Sequence, residues 1–365
     1  MFTSRLGRLA AIAGIGILGA ACGETTAPEF AMEFDAEAAL ADYAAMDAVF
    51  ASPGFAGFRA LGNRTPFGSS PAAIDVVAGM SAPTRADAGR SFALDLVRRL
   101  DHAAVTEGPA AAPIISGWTR GATFVYKPDT DDYGLAPGRT GAPETGVRFI
   151  LYAVDETGTP IVEEETGYAD LIDEGDGSVE DIVLHLIVVD HDVTALDYRT
   201  TLDASEGRGE LTVAGFLQGD DVRLDFDIGA VGTDSDGVKT LDVAFELSVH
   251  ARDFSIVGSV RGVEEGVEGE GDIEVTVRHG AESMSLDMHG AEGTIDGSVF
   301  VNDHLFATVS GPAENPTFLG SSGDPLTWSE FLVLRQIVDS VEDIFDFLED
   351  LLDPVDELVI LGIIL

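Results

Sequence analysis

The chain has 365 residues, 45% hydrophobic and 23% charged, and its 65 acidic side chains against 20 basic ones give a formal charge of −45. This excludes a disordered chain, which lacks apolar residues, and a polytopic membrane protein, which needs several apolar runs of about 20 residues. A disulfide scaffold is excluded by the single cysteine, and an acidic globular protein of one large or two ordinary domains remains.

The first residues carry an address. Arg5 and Arg8 precede an uncharged stretch, residues 9–21, that ends in Leu18-Gly19-Ala20-Ala21-Cys22. Thirteen residues are too few to span a hydrocarbon core of about 30 Å as a helix, so residues 1–21 read as an export signal. Cys22 has no cysteine with which to form an intrachain disulfide, and Gly23-Glu24-Thr25-Thr26 follows it. The segment resembles a bacterial lipoprotein signal, although Gly19 stands where such signals usually carry Leu and Leu18 lies one step further out. The resemblance implies acylation of Cys22 and a membrane partner reached through that lipid. Gly23, where an inner-membrane retention signal would carry Asp, implies the outer membrane of the bacterial cell envelope.

Residues 22–30 read as a tether and residues 31–112 as an Ala-rich region of helix and loop. Phe34, Ala38, Ala41, Ala45 and Val49 recur at helical spacing, so an amphipathic helix is expected over residues 30–50, ended by Ser52-Pro53-Gly54. Beyond it Gly and Pro break the pattern, and residues 91–104 are one further helical candidate.

Over residues 113–320 the period becomes two. Leu241, Val243, Phe245, Leu247 and Val249 alternate with Asp242, Ala244, Glu246, Ser248 and His250, and the runs 223–228 and 272–278 alternate likewise. Gly219-Asp220, Asp236-Gly237, His279-Gly280 and Asn302-Asp303 mark turns between such runs, with connections too short for parallel crossovers. An antiparallel meander of about 10 to 13 strands is expected, apolar on one face and acidic on the other, curved into a half-barrel or barrel. The Gly-Glu run 262–271 reads as an acidic loop or distorted strand.

Residues 321–365 form a last unit. Phe331, Leu334, Val338, Val341, Phe345, Leu348 and Leu352 recur at spacings of three and four, with Asp339, Glu342, Asp343 and Asp346 opposite, so residues 328–352 are expected to form an amphipathic helix packed on the apolar face of the sheet. The aliphatic stretch 358–365 reads as a buried strand or plug. The fold class expected is therefore α+β.

The charge distribution bears on partners. Residues 1–150 carry a net charge of −4 and residues 151–365 one of −41, with Lys127 and Lys239 the only lysines. Such a polyanion repels phosphate backbones, which excludes nucleic acid as the favoured partner. There is no Gly-x-Ser-x-Gly, His-Glu-x-x-His or phosphate-binding loop, so no catalytic residue is assigned and a non-enzymatic protein is the preferred reading.

Asp129, Asp131 and Asp132 have the oxygen density of a Ca²⁺ loop, but Thr140 stands where an EF-hand needs its bidentate Glu. Asp234 and Asp236 begin a similar pattern that fails at Val238. His185 and His191 share a strand face, but six residues separate them by about 20 Å, too far for one metal. Phe226 and Phe245 on the sheet and Phe331 and Phe345 on the C-terminal helix are the candidates for holding an apolar small molecule between the two.

The expectation is thus an exported, lipid-anchored acidic envelope protein that binds an apolar ligand or forms a scaffold. A Ca²⁺-binding surface protein and an envelope hydrolase with an assembled carboxylate site are the alternatives.

Overall fold

The structure, a computed structural model, describes residues 36–50, 52–62, 115, 117–175, 181–205, 208–235, 237–265, 268–291, 293–312 and 316–327. Two helices come first, α1 (Ala36–Phe50) and α2 (Pro53–Gly62). The expected break at Ser52 is present, but Pro53 opens a new helix there rather than closing the helical region. Proline suits this position because its fixed φ is helical and its missing N–H would have no intrahelical partner. The Ser52 carbonyl accepts from the Ala56 amide at 2.9 Å, and the Ser52 hydroxyl faces the Phe55 amide at 3.4 Å.

The strands follow in series: β1 (Ala122–Lys127), β2 (Asp132–Leu135), β3 (Gly146–Val154), β4 (Pro160–Asp173), β5 (Asp181–Asp190), β6 (Val193–Ser205) and β7 (Arg208–Gln218). Next come β8 (Arg223–Ser235), β9 (Val238–Val249), β10 (Phe254–Glu265) and β11 (Glu268–His279). The last four are β12 (Glu282–Ala291), β13 (Thr294–Val301), β14 (His304–Pro312) and β15 (Thr317–Gly320).

All 15 strands form one sheet in which β3 to β15 neighbour one another in chain order and β1-β2 complete the other margin. The sheet therefore has more strands than its length suggested, and its two margins do not pair, which overturns the barrel alternative. Pairing is antiparallel except where β1 runs parallel to β3, through Ala122–Phe124 against Val147–Phe149. The hairpins are tight. His191 and Asp192 (φ 47° and 68°), like Asn302 and Asp303 (φ 49° and 62°), take the left-handed conformation at both central positions of a two-residue loop.

The alternation read from the sequence is the alternation of burial. Leu241, Val243, Phe245, Leu247 and Val249 are buried, as are Leu224, Phe226 and Ile228, whereas Asp242, Ala244 and Glu246 are exposed. Register carries this across strands: Ile228 faces Phe245, Phe245 faces Gly258, Gly258 faces Val275, and Val275 faces Leu286. One apolar cluster joins this side of the sheet to both helices.

The Gly-Glu run is not a loop. Gly262 pairs with Gly271 in regular register, and the hairpin continues to Glu265 opposite Glu268. Gly262 and Gly271 belong to a row that crosses eight strands on the apolar side, made of Gly209, Gly232, Gly262, Gly271, Gly290 and Gly311, with Leu241 and Ile295 interposed. The core stops at this row, because a strand without Cβ atoms has nothing to pack.

Helix α2 lies against β3–β6 with Phe55, Phe58 and Leu61 buried. Helix α1 is rotated from the expected stripe: Ala45 and Val49 are buried as anticipated, but Ala41 is exposed, and Asp42 and Met46 share the buried side. The expected helices 91–104 and 328–352 and the tail 358–365 lie outside the described residues, as do Cys22, Phe331 and Phe345.

Candidate functional site

The buried Asp42 takes two donors from the far end of the chain. Arg252, in a single turn of 3-10 helix between β9 and β10, reaches its Oδ1 at 2.7 Å, and His279 Nδ1, at the end of β11, lies 2.5 Å from Oδ2. The carboxylate is 2% exposed, while the Arg252 and His279 side chains keep 39% and 31%. A carboxylate so desolvated is tolerable only because both oxygens are matched. This cluster fastens α1 across the turns of the sheet and has the form of a clasp.

A second cluster lies on the polar side. His185 is 8% exposed, with Nδ1 3.0 Å from Glu174 Oε1 and Nε2 2.8 Å from Asp197 Oδ1. Arg199 Nε donates to Glu174 Oε2 at 2.9 Å, and that hydrogen bond holds the Glu174 carboxyl below the usual carboxylate range. Both ring nitrogens are thus engaged by carboxylates, and His191 lies elsewhere, in the β5–β6 turn against Asp190. Nearer the N-terminal margin Arg148 makes a bidentate pair with Asp170, both bonds 2.7 Å, and its guanidinium carbon stands 3.6 Å from the centre of the Tyr168 ring. Arg120 pairs with the buried Asp173 at 2.9 Å. The buried carboxylates Asp42, Asp170 and Asp173 therefore all carry a cationic partner.

The exposed face of β7–β13 carries cross-strand charges. Asp242, Arg261, Asp272, His289 and Asp296 follow one another in register from β9 to β13, with signs that alternate when His289 is protonated. Beside this row the floor is made of small residues, Gly229, Ala244 and Ser259, which leaves a shallow depression of about 460 Å³ rimmed by Glu210, Asp242, Arg261, Asp272 and Glu274.

The Asp272 carboxylate, 2.7 Å from His289 Nδ1, raises the imidazole above its ordinary value. A raised folded value means that this contact favours the fold fully at low pH and is lost as pH rises through the folded titration. In a titration followed by NMR, His289 should protonate at higher pH than a free imidazole, and Asp272→Asn should lower its midpoint. Equal midpoints in the two proteins would remove the pairing.

Of the acidic candidates, Asp129 is an exposed turn residue. Asp131 accepts from the Tyr126 hydroxyl at 2.7 Å and Asp132 from the Thr130 hydroxyl at 2.5 Å. These carboxylates close the β1–β2 hairpin. Asp234 lies near the end of β8, opposite Lys239, and Asp236 lies outside the described residues. Among the described residues no group of three or more His, Cys, Asp and Glu side chains could hold a metal ion.

Phe226 and Phe245 are both buried in the core. Phe226 meets Tyr198 edge-on at 5.9 Å between ring centres, and Phe245 covers Gly258 so closely that a Cβ there would lie 2.3 Å from its Cζ. A glycine roofed by the aromatic ring of the neighbouring strand is a cross-strand packing pair.

The arrangement defines a class of protein in broad terms, an open antiparallel meander with one packed face and one charged face. Comparison with protein-family models, curated proteins and solved structures finds no match for this chain.

Proposed function

We propose that the protein is an exported, lipid-anchored constituent of the bacterial cell envelope that acts as an acidic scaffold or binding surface rather than as an enzyme. The observation that carries this reading is the division of labour within the sheet: one side is given to packing, and the other presents charged side chains, in a row that runs in register from β9 to β13. The anchor rests on Cys22 and its flanking residues, which resemble a lipoprotein signal.

Thirteen residues separate Cys22 from the start of α1, a reach of at most about 47 Å at ~3.4 Å per residue. An anchored sheet would therefore stand close to the membrane, its polyanionic face set away from anionic headgroups by repulsion. In this reading the sheet curves as a half-barrel and the C-terminal stretch packs as a helix on its apolar side.

The scaffold form is preferred over the apolar-ligand form because the rings of Phe226 and Phe245 are committed to Tyr198 and Gly258. The hydrolase alternative calls for two acids converging without a basic partner, and the buried acids here are paired to Arg.

Expression in a Gram-negative host with labelled palmitate tests the anchor. The full chain should take up label and sediment with outer membrane, Cys22→Ser should do neither, and label retained by that variant would overturn the anchor. Native mass spectrometry tests the other half. An acyl species bound one to one in the body of the protein would replace the scaffold with a carrier.

A further inference from the structure

The apolar side of β10–β14 is covered well beyond the reach of either described helix. Helix α1 follows the turn ends of the strands: Val49 abuts Gly219, and Asp42 meets Arg252 and His279. A helix about 10–12 Å across, lying along those turns, shields no more than the first three or four residues of each strand. Leu286 is four residues into β12, about 13 Å from its start, and Val260 is six residues into β10, about 20 Å from its start. Both are 5% exposed, and Val275 and Val299 are 2% and 1% exposed. Helix α2 lies over β3–β6 and is not available to cover them. Something apolar therefore lies across the middle of these five strands.

We infer that its occupant is the chain's own segment 328–352, laid across β10–β14 between the clasp of α1 and the row of glycines. This rests on the packing proposed above and assigns it a place. The described chain leads to that margin: β15 pairs with β14, Leu319 also bridges Pro325 on its other side, and Phe318 and Leu326 pack against the core, so residue 327 leaves beside β15, one strand outside β14.

A 25-residue helix is about 37 Å long and five strands are about 19 Å across, so the segment is long enough to span all of them. Its stripe of Phe331, Leu334, Val338, Val341, Phe345, Leu348 and Leu352 supplies a continuous apolar side, and Asp339, Glu342, Asp343 and Asp346 would face water. The glycine row sets the upper limit of the seat. A Cβ added at Gly262 or Gly311 would meet nothing within 4 Å, so the cover stops short of that row.

Cysteine cross-linking tests the placement in the full chain with Cys22→Ser. Leu286→Cys is paired in turn with Leu334→Cys, Val341→Cys and Leu348→Cys, and with a short bismaleimide at least one pair should give an intramolecular product. The control Asp287→Cys, on the opposite face, should give none. Cross-links confined to dimers would make the occupant a second copy, and protection of Leu286→Cys without any cross-link would make it another segment of the chain, such as 91–104, or a separate ligand; each of these results overturns the inference.

Hydrogen exchange supplies a second reading. In the full chain carrying Val338→Asp and Val341→Asp, amides near Val275, Leu286 and Val299 should exchange at least about tenfold faster while those under α2 stay protected. Unchanged exchange in β11–β13 would also overturn the inference. None of these outcomes depends on acylation or location, so the palmitate experiment tests the envelope reading independently.

Discussion

Phe245→Ala should destabilise the protein by about 3 to 5 kcal/mol, the usual cost of removing a large aromatic side chain from a packed core. Phe245 sits mid-strand in β9, faces Ile228 on one side and roofs Gly258 on the other. Its loss leaves a cavity and uncovers a strand backbone at the same point.

The pairing with Gly258 makes the prediction sharper than one of stability alone. Gly258→Ala places a methyl 2.3 Å from the Phe245 ring and 2.9 Å from the Glu274 carbonyl oxygen, so it is costly while the ring is present. With alanine at position 245 the first clash disappears and only the second remains. Denaturant unfolding of both single variants and the double variant should give a coupling of about 0.5 to 3 kcal/mol, with the double less damaged than the sum. Strict additivity would mean that the ring does not roof the glycine.

Removing Arg252 should cost more than removing Asp42. In Asp42→Ala both released partners are already about one third exposed and can recover hydration, so the loss is that of the contact and of α1's alignment. In Arg252→Ala the carboxylate stays buried with His279 as its remaining partner, and stranding a buried charge costs about 3 to 5 kcal/mol. Arg252→Ala with Asp42→Ala should be milder than Arg252→Ala alone, because the stranded charge is gone. Thermal unfolding of the three variants decides the order, and equal losses for the two single variants would show that Asp42 is not desolvated in solution.

What could be read in advance follows from how local its cause is. Strand alternation depends on the two-residue period alone, so the buried sets of β8 and β9 were legible residue by residue. The turns at His279-Gly280 and Asn302-Asp303 were legible because Gly280, Asn302 and Asp303 take left-handed positions, which select Gly, Asn and Asp. Helix α2 was not, since Pro53, Gly54 and Gly57 lower its intrinsic propensity, and burial of Phe55, Phe58 and Leu61 against the sheet compensates.

The burial of Asp42 was not legible because nothing within one helical turn reveals a partner. Its partners lie 210 and 237 residues away. The parallel contact of β1 with β3 was hidden for a similar reason: the chain makes β2 first and returns. His185 was weighed with its neighbours in sequence, His191 and Asp192, whereas its ring is held by Glu174, just past the end of β4, and by Asp197 on β6.

A meander laid down in chain order could in principle gain or lose a hairpin with little disturbance, because each strand depends only on its two neighbours. The clasp removes that freedom. With α2 seated on β3–β6 and α1 joined to it through a two-residue break, Asp42 arrives at one fixed position along the row of turns. Arg252 and His279 must be standing there, so the number of strands between β6 and β12 is counted by the helix pair. A chain shortened or lengthened by one hairpin in that interval would bring different turns beneath Asp42 and leave a buried acid without its partners.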